Sequence, residues 1–314
     1  MALDILTMGE ALVEIMRTGV DQPLDKPAPF VGPYPSGAPF IFAVQCARLG
    51  MKTGAIGAIG QDAFGQCLLQ QLTDDGIILD GIDIVTDHTT GVAFVSYKSD
   101  GSRDFVFSLG AGGQLSTDSV DPVLFTDLQC FHIMGSTLSM NKNTLAACEY
   151  ALQLAIENNV LISFDPNFRP ELLPLAEAQK VFQPFLDAAD IIIPTASELL
   201  HLTQQSTVAA AVQLLLDQRE SRIIAVTMGE AGCQIFSRAE PFTIDGFTVE
   251  EIDPTGAGDC FDAGFLSALL SGMSLRNAAI LANACGANAV MAKGPMTGIQ
   301  NLQTLQSFIE EHNP

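Results

Sequence analysis

The chain has no tryptophan, only 4 histidines, and 14 basic residues against 36 acidic ones, for a formal net charge of −22. So acidic a surface repels nucleic acid and anionic membrane, which excludes a phosphate-backbone partner and a membrane-surface role. Zinc is equally unsupported, because the histidines are few and no Cys-x-x-Cys pair occurs. The seven cysteines, Cys46, Cys67, Cys130, Cys148, Cys233, Cys260 and Cys285, are scattered and odd in number. They are expected to be buried free thiols. No apolar run approaches the roughly 18 residues of a membrane span. The opening "MALDILTMGE" carries an acidic residue where a signal peptide needs a basic one, so a cytoplasmic location is expected. The charge does not exclude a nucleotide, since backbone N–H groups and a magnesium ion can hold phosphates with few Lys or Arg.

At 314 residues and 48% hydrophobic content, the chain can bury a large core. Short β-like runs alternate with amphipathic helical stretches. "LDILTMG", "KTGAIGAIG", "CFHIMGS", "VLISFDP", "DIIIPT" and "RIIAVTMG" read as strands. "APFIFAVQCARLG", "AFGQCLLQQLTDDG", "TLAACEYALQLAIENN" and "AEAQKVFQPFLDAA" read as helices, and the pattern from Gly256 to His312 is almost wholly helical. Such alternation predicts an α/β fold, a mostly parallel central sheet with helices on both faces.

Two segments break the rhythm. Thr18 to Gly37 is rich in Pro and Gly, and Thr90 to Gly110 reads as a β-hairpin around Asp100-Gly101. The hairpin's first strand places Val92 and Phe94 on one side and Ala93, Val95 and Tyr97 on the other. Both faces are apolar, which suits a small β-sheet lid: one face over a ligand, the other against a partner subunit. Plain packing on the main body is the competing explanation.

The most informative stretch is "DPTGAGDCFDAGF", Asp253 to Phe265. Phe261, Phe265, Leu266, Leu269 and Leu270 recur at helical spacing, so Gly256-Ala257-Gly258 falls at a helix N-terminus with Asp259 in its first turn. A helix start offers unpaired N–H groups and partial positive charge, and glycine lets an anion come close. An ordinary capped helix, with Asp favoured by the dipole, explains the same residues. "VTMGEAG", "FDPNFRP" and "PTASE" each end a strand with polar residues, which places them at one edge of the sheet.

Together with "GEALVE", "PSGAPFIFAVQCARLG" and "GAIGQDAFG", these motifs resemble, in order and over nearly the whole chain, the ribokinase or PfkB family of carbohydrate kinases. The resemblance implies a single ribokinase-like domain over residues 1–314, with a lid drawn from about 12–36 and 89–112. It implies ATP and Mg2+, and a K+ site in some members. By motif position, Asp259 would be the catalytic base, and Gly256, Ala257 and Gly258 the anion hole. Thr227, Gly229, Gly232 and Asn283 would hold the nucleotide. Glu14, Gly37, Ile41, Arg169 and Asp259 would meet the sugar. Glu198 would organise magnesium through water, and Asp253 and Thr255 would serve a monovalent cation. A homodimer that packs one lid against the other is expected from the two apolar faces of the hairpin.

The sugar half departs from the family pattern. Where Gly-Gly-x-x-x-Asn is usual the chain reads Ser36-Gly37-Ala38-Pro39-Phe40-Ile41. Glu14 replaces an Asp, Thr195 an Asn, and Leu109 stands where fructokinase-like members carry Arg. Ile41 cannot hydrogen-bond a sugar, which could tilt a choice between tagatose and fructose. The leading expectation is phosphorylation of the primary hydroxyl of an unphosphorylated ketohexose of tagatose or fructose type. A 2-keto-3-deoxygluconate kinase (through Arg169), a nucleoside kinase and a non-catalytic sugar-binding relic stay open. An already phosphorylated sugar ranks lower, because Lys98 and Arg103 are the only cations of the hairpin. A Rossmann dehydrogenase is disfavoured, since "GAGDCF" lacks the third glycine and lies late in the chain.

Overall fold

A computed structural model describes residues 2–100, 102–219 and 222–312. Thirteen strands are found among the described residues: β1 Ile5–Met8, β2 Leu12–Arg17, β3 Phe30–Ser36, β4 Thr53–Gly60, β5 Ile78–Val85, β6 Gly91–Tyr97, β7 Arg103–Ser108, β8 Cys130–Met134, β9 Leu161–Asp165, β10 Ile191–Ile192, β11 Ile223–Thr227, β12 Cys233–Phe236 and β13 Phe242–Ile244. The α-helices are α1 Ala38–Arg48, α2 Ala63–Asp74, α3 Gly135–Leu138, α4 Lys142–Glu157, α5 Leu175–Ala188, α6 Ala196–Thr203, α7 Val208–Gln218, α8 Ala257–Leu270, α9 Leu275–Ala289 and α10 Leu302–His312.

Nine strands form one sheet in the order β13-β12-β11-β10-β9-β8-β1-β4-β5. The pairs from β11 to β5 are all parallel; β12 is antiparallel to both β11 and β13, so it alone runs against the rest. Strands such as β1, β4 and β8 are buried along their whole length, as a parallel sheet covered on both sides requires. Apolar side chains of α1, α8 and α9 form the core on one face, and those of α4, α5 and α7 the core on the other. Chain order reverses at β1, which lies between β8 and β4. That is a topological switch point, where open α/β sheets leave a crevice beyond their carboxyl ends. All seven cysteines are free; six are buried and Cys67 is half-buried, as expected.

The second sheet has the order β3-β2-β6-β7. Strands β6 and β7 make the expected antiparallel hairpin; Gly101 of its Asp100-Gly101 turn lies outside the described residues. The two irregular segments meet through β2 and β6, which pair in parallel with Leu12 opposite Gly91. Register places Glu14, Ala93 and Phe107 on one face, together with Val95 and Phe105, and Ile15, Phe94 and Val106 on the other. The first face looks inward, and Val95 is fully buried within the chain. It is therefore the opposite face that is left outward, where Val106 is 54% exposed and Phe30 41%. A charge at Val95 would disrupt this chain's own core, so Val95 is the wrong position at which to probe association.

Candidate active site

Residues at the carboxyl ends of four parallel strands converge. Glu10 follows β1, Asp165 ends β9, Thr195 follows β10 and Thr227 ends β11, and all four line a cleft of about 300 Å³ between the two sheets. The start of α8 forms its floor: Thr255, Gly256, Ala257, Gly258, Asp259 and Asp262 all face it. The sequence places "DPTGAGD" here because the Asp-Pro turn halts the chain and the apolar repeat beyond it must lie on the core.

Gly256 is the N-cap of α8, with φ 88°, a left-handed conformation that suits glycine. The first helical bond of this turn is donated by Cys260 N to Gly256 O, so the N–H groups ahead of it have no partner within the helix. A Cβ added at Gly258 would meet no heavy atom within 4 Å. The protein's own packing therefore does not require glycine there, and the space fits a group that must touch backbone. This is the fit expected for a phosphate.

Asp259 is 7% exposed. Burial pushes its carboxyl up to about 7, opposed by the Arg169 charge and reinforced by Glu10 and Glu14. Its Oδ1 accepts from Asn167 Nδ2 at 3.4 Å. A carboxyl so placed is a better proton acceptor near neutrality than a solvated Asp.

On the side of the small sheet lie Glu14, Ser36, Gly37, Arg103, Phe105 and Phe107. Ser36 Oγ donates to Glu14 Oε1 at 2.7 Å, while the buried Oε2 has no partner. Burial pushes the Glu14 carboxyl up to about 7. Gly37, with φ 107°, lets the chain pass so close to Glu10 that a Cβ would stand 2.1 Å from the Glu10 carbonyl oxygen. Arg169 lines the cleft with Arg103, and these are its only cationic side chains among the described residues. Ile41 borders the cleft but is only 2% exposed. Its Cγ2 lies 3.1 Å from where a Gly256 Cβ would sit, so it packs beneath the glycine turn.

The other expected residues divide. Thr227 lines the cleft, whereas Gly229, Gly232 and Asn283 do not. Gly232 packs against Ile244 O, and Asn283 Nδ2 donates to Ile244 O and Asp245 O at 3.2 and 3.0 Å. Glu198 lines the cleft as the N3 member of a capping box on α6. Its Oε2 accepts from Thr195 N and Oγ1, each at 2.8 Å, and its Oε1 from Phe168 N at 2.7 Å. Thr195 thus serves as a helix cap in the place where the resembled motif has Asn.

Asp253 and Thr255 sit in a hydrogen-bond network between the small sheet and the glycine turn. Tyr97 OH donates to Asp253 Oδ1 at 2.6 Å, and Thr255 N to the same oxygen at 3.1 Å. Gly294 N donates to Asp253 Oδ2 at 2.9 Å, and Arg103 Nη1 to Thr255 Oγ1 at 3.0 Å. The pair ties the small sheet to the glycine turn. Sequence reasoning gave no role to Glu10, Ser36 or Asp262. Ser36 was visible only as part of a glycine signature. Asp262 could have been found as the residue one helical turn after Asp259.

Comparison with known proteins agrees with this geometry. The profile of the pfkB family carbohydrate kinases matches residues 4–302. The chain is 31% identical over 316 residues to "Probable fructokinase-4" of Arabidopsis thaliana, covering 98% of this chain and 96% of that one. An E. coli protein assigned as a ribokinase II, solved with ATP and Mg2+, superposes with a TM-score of 0.93 at 39% identity, covering 99% of this chain and 100% of that one. A Vibrio cholerae fructokinase double mutant, solved with fructose, ADP and potassium, gives a TM-score of 0.85 at 26% identity and 98% coverage of both chains. With these matches spanning both sheets and the cleft between them, the chain belongs to the pfkB family of carbohydrate kinases.

Proposed function

We propose that this sugar kinase transfers the γ-phosphoryl group of ATP to the primary hydroxyl of an unphosphorylated ketohexose. One observation carries the reading: the open side of Gly258 and the buried Asp259 carboxyl face the same cleft. In the proposed step the sugar O–H bond breaks and its proton passes to Asp259, while the oxygen forms a bond to the γ-phosphorus. The bond from that phosphorus to the β-phosphate oxygen breaks, and its electron pair leaves with ADP. Phosphoryl transfer needs positioning and charge stabilisation more than covalent help. The N–H groups of Gly256, Ala257 and Gly258 are the anion hole in this scheme. Thr227 borders the nucleotide, with Gly229, Gly232 and Asn283 shaping the wall behind it. Glu14, Gly37 and Arg169 meet the sugar. Magnesium supplies neutralising charge when bound, and the acidic residues Glu198 and Asp165 suit it through water.

The small sheet is the lid of a single kinase domain over 1–314, drawn from about 12–36 and 89–112. Its outward face, with Phe94 and Val106, is the surface for a homodimer. Among substrates, a phosphorylated sugar is disfavoured, because the cleft offers two arginines, and Arg103 already reaches Thr255. Arg169 favours one second reading, a sugar acid whose carboxylate it would pair. Measuring ADP release over ketohexoses, aldoses, sugar acids and nucleosides tests the proposal. A ketohexose should give the highest kcat/KM; the highest value with a sugar acid would favour the second reading. No ADP release with any acceptor would refute both.

A further inference from the structure

The hairpin of the small sheet reaches the glycine turn through one cross-strand pair. Tyr97 ends β6, Arg103 begins β7, and the two stand opposite each other in register. Arg103 Nη1 donates to Thr255 Oγ1 at 3.0 Å, and its guanidinium lies over the Phe105 ring, 5.4 Å from the centroid. Tyr97 OH lies 3.3 Å from the same Thr255 oxygen and donates to Asp253 Oδ1 at 2.6 Å. A tyrosine hydroxyl has one hydrogen to give, so the Thr255 hydroxyl is the donor in its contact with Tyr97. The bonds therefore run one way, from Arg103 to Thr255, then to Tyr97, then to Asp253.

The far end of this row is fixed in the main body. Asp253 is 1% exposed; its Oδ2 accepts from Gly294 N at 2.9 Å, and its own N donates to Val290 O at 3.1 Å. Thr255 is held differently. Its N donates to Asp253 Oδ1 at 3.1 Å, but among the described residues both hydrogen bonds of its hydroxyl are made with the small sheet. Gly256, the next residue, is the N-cap of α8, and Gly256, Ala257 and Gly258 line the cleft. The backbone cannot shift at Thr255 without turning the unpaired N–H groups that follow it.

We propose that Tyr97 and Arg103 are positioning residues for phosphoryl transfer: by gripping Thr255 they set the Gly256–Gly258 turn when the small sheet lies over the cleft. This rests on the reading of that turn as the anion hole. Tyr97→Phe removes the hydroxyl with its two hydrogen bonds and keeps the ring. In the ligand-free protein, amide hydrogen exchange from Thr255 to Gly258 should quicken about fivefold or more, with the main sheet unchanged. Arg103→Met should quicken the same amides. With saturating ATP and the best acceptor of the substrate panel, kcat of Tyr97→Phe should fall about 5- to 50-fold, the value of two hydrogen bonds. The KM for ATP should stay within about twofold, since the small sheet grips the turn and not the nucleotide. Thr255→Val should lose as much, and Thr255→Ser, which keeps the hydroxyl, should stay within about twofold of wild type. Together, Tyr97→Phe and Thr255→Val should cost less than the product of their separate losses, because they cut the same row. Unchanged exchange or wild-type kcat in Tyr97→Phe, a failed rescue by Ser, or independent losses in the double variant would each overturn the proposal. So would recovery of kcat in Tyr97→Phe on adding potassium, which would make the tyrosine a support for a bound cation instead. Unchanged kinetics in Gly258→Val would remove the anion-hole reading itself, whatever the exchange shows.

Discussion

Replacing Asp259 by Asn should abolish turnover and, at the same time, stabilise the protein in a pH-dependent way. Burial raises the Asp259 carboxyl from its ordinary value of 3.8 to about 7. A carboxyl whose pKa is higher folded than unfolded lends stability below its unfolded value, and that stability is lost as pH rises through the folded value. A rise of about three, at roughly 1.4 kcal/mol each, makes ionised Asp259 cost at most about 4 kcal/mol at pH 8. The amide never ionises. Asp259→Asn should therefore be more stable than wild type at pH 8, by up to that amount, and should lose the advantage near pH 4. Denaturant titrations at the two pH values measure the difference. In parallel, kcat should fall by about 10²–10⁴-fold, the usual contribution of a general base. For wild type, kcat/KM should rise with pH to a plateau above about 7, because the base must be ionised before it can accept a proton. A variant with wild-type turnover, or one equally stable at pH 8 and pH 4 relative to wild type, would refute the reasoning.

Gly258→Val would fill open space with a branched side chain; it should fold normally yet lose turnover and bind ATP more weakly, and unchanged kinetics would put the phosphate elsewhere. Ile41→Asn would bury an amide beneath Gly256 and should cost about 1–3 kcal/mol of stability with lower kcat. A several-fold change in ketohexose preference at an unchanged Tm would show that Ile41 reads the sugar after all. Phe94→Asp, on the outward face of the small sheet, should shift a homodimer toward monomer in sedimentation at micromolar concentration; a monomeric wild-type protein would end that idea.

The parallel sheet and the helix starting at Gly256 were legible because their signals are local. Apolar runs such as "AIGAIG" and the spacing of Phe261, Phe265 and Leu269 need no tertiary knowledge. Strand β5 was not read, since Gly81 and three aspartates interrupt "ILDGIDIVTD" on the sheet edge. Helix α7 was missed in a run of Ala and Leu without a clear polar face, although Thr207 caps it. In the site, glycine turns and strand-end motifs pointed to the right place. For Ile41 the sequence gives the position in the helix but not its depth. For Asp253 and Thr255, nothing local shows that Tyr97, 156 residues away from Asp253, donates to the carboxylate.

The parallel pairing of β2 with β6 has a consequence for how the molecule assembles. Leu12 and Gly91 meet only after β4, α2 and β5 have carried the chain through the main sheet and back. Long-range parallel pairing pays its loop-closure entropy before it gains contacts, so it comes late on a folding route. The antiparallel pairs β2–β3 and β6–β7 are local and can form early, but joining them through β2 and β6 waits on β4, α2 and β5. The small sheet's half of the cleft is therefore held by one parallel seam, between β2 and β6, and loses its shape when that seam opens. Loss of sugar binding under mild denaturing stress would precede any loss of the main sheet, and activity would report on stability earlier than circular dichroism does.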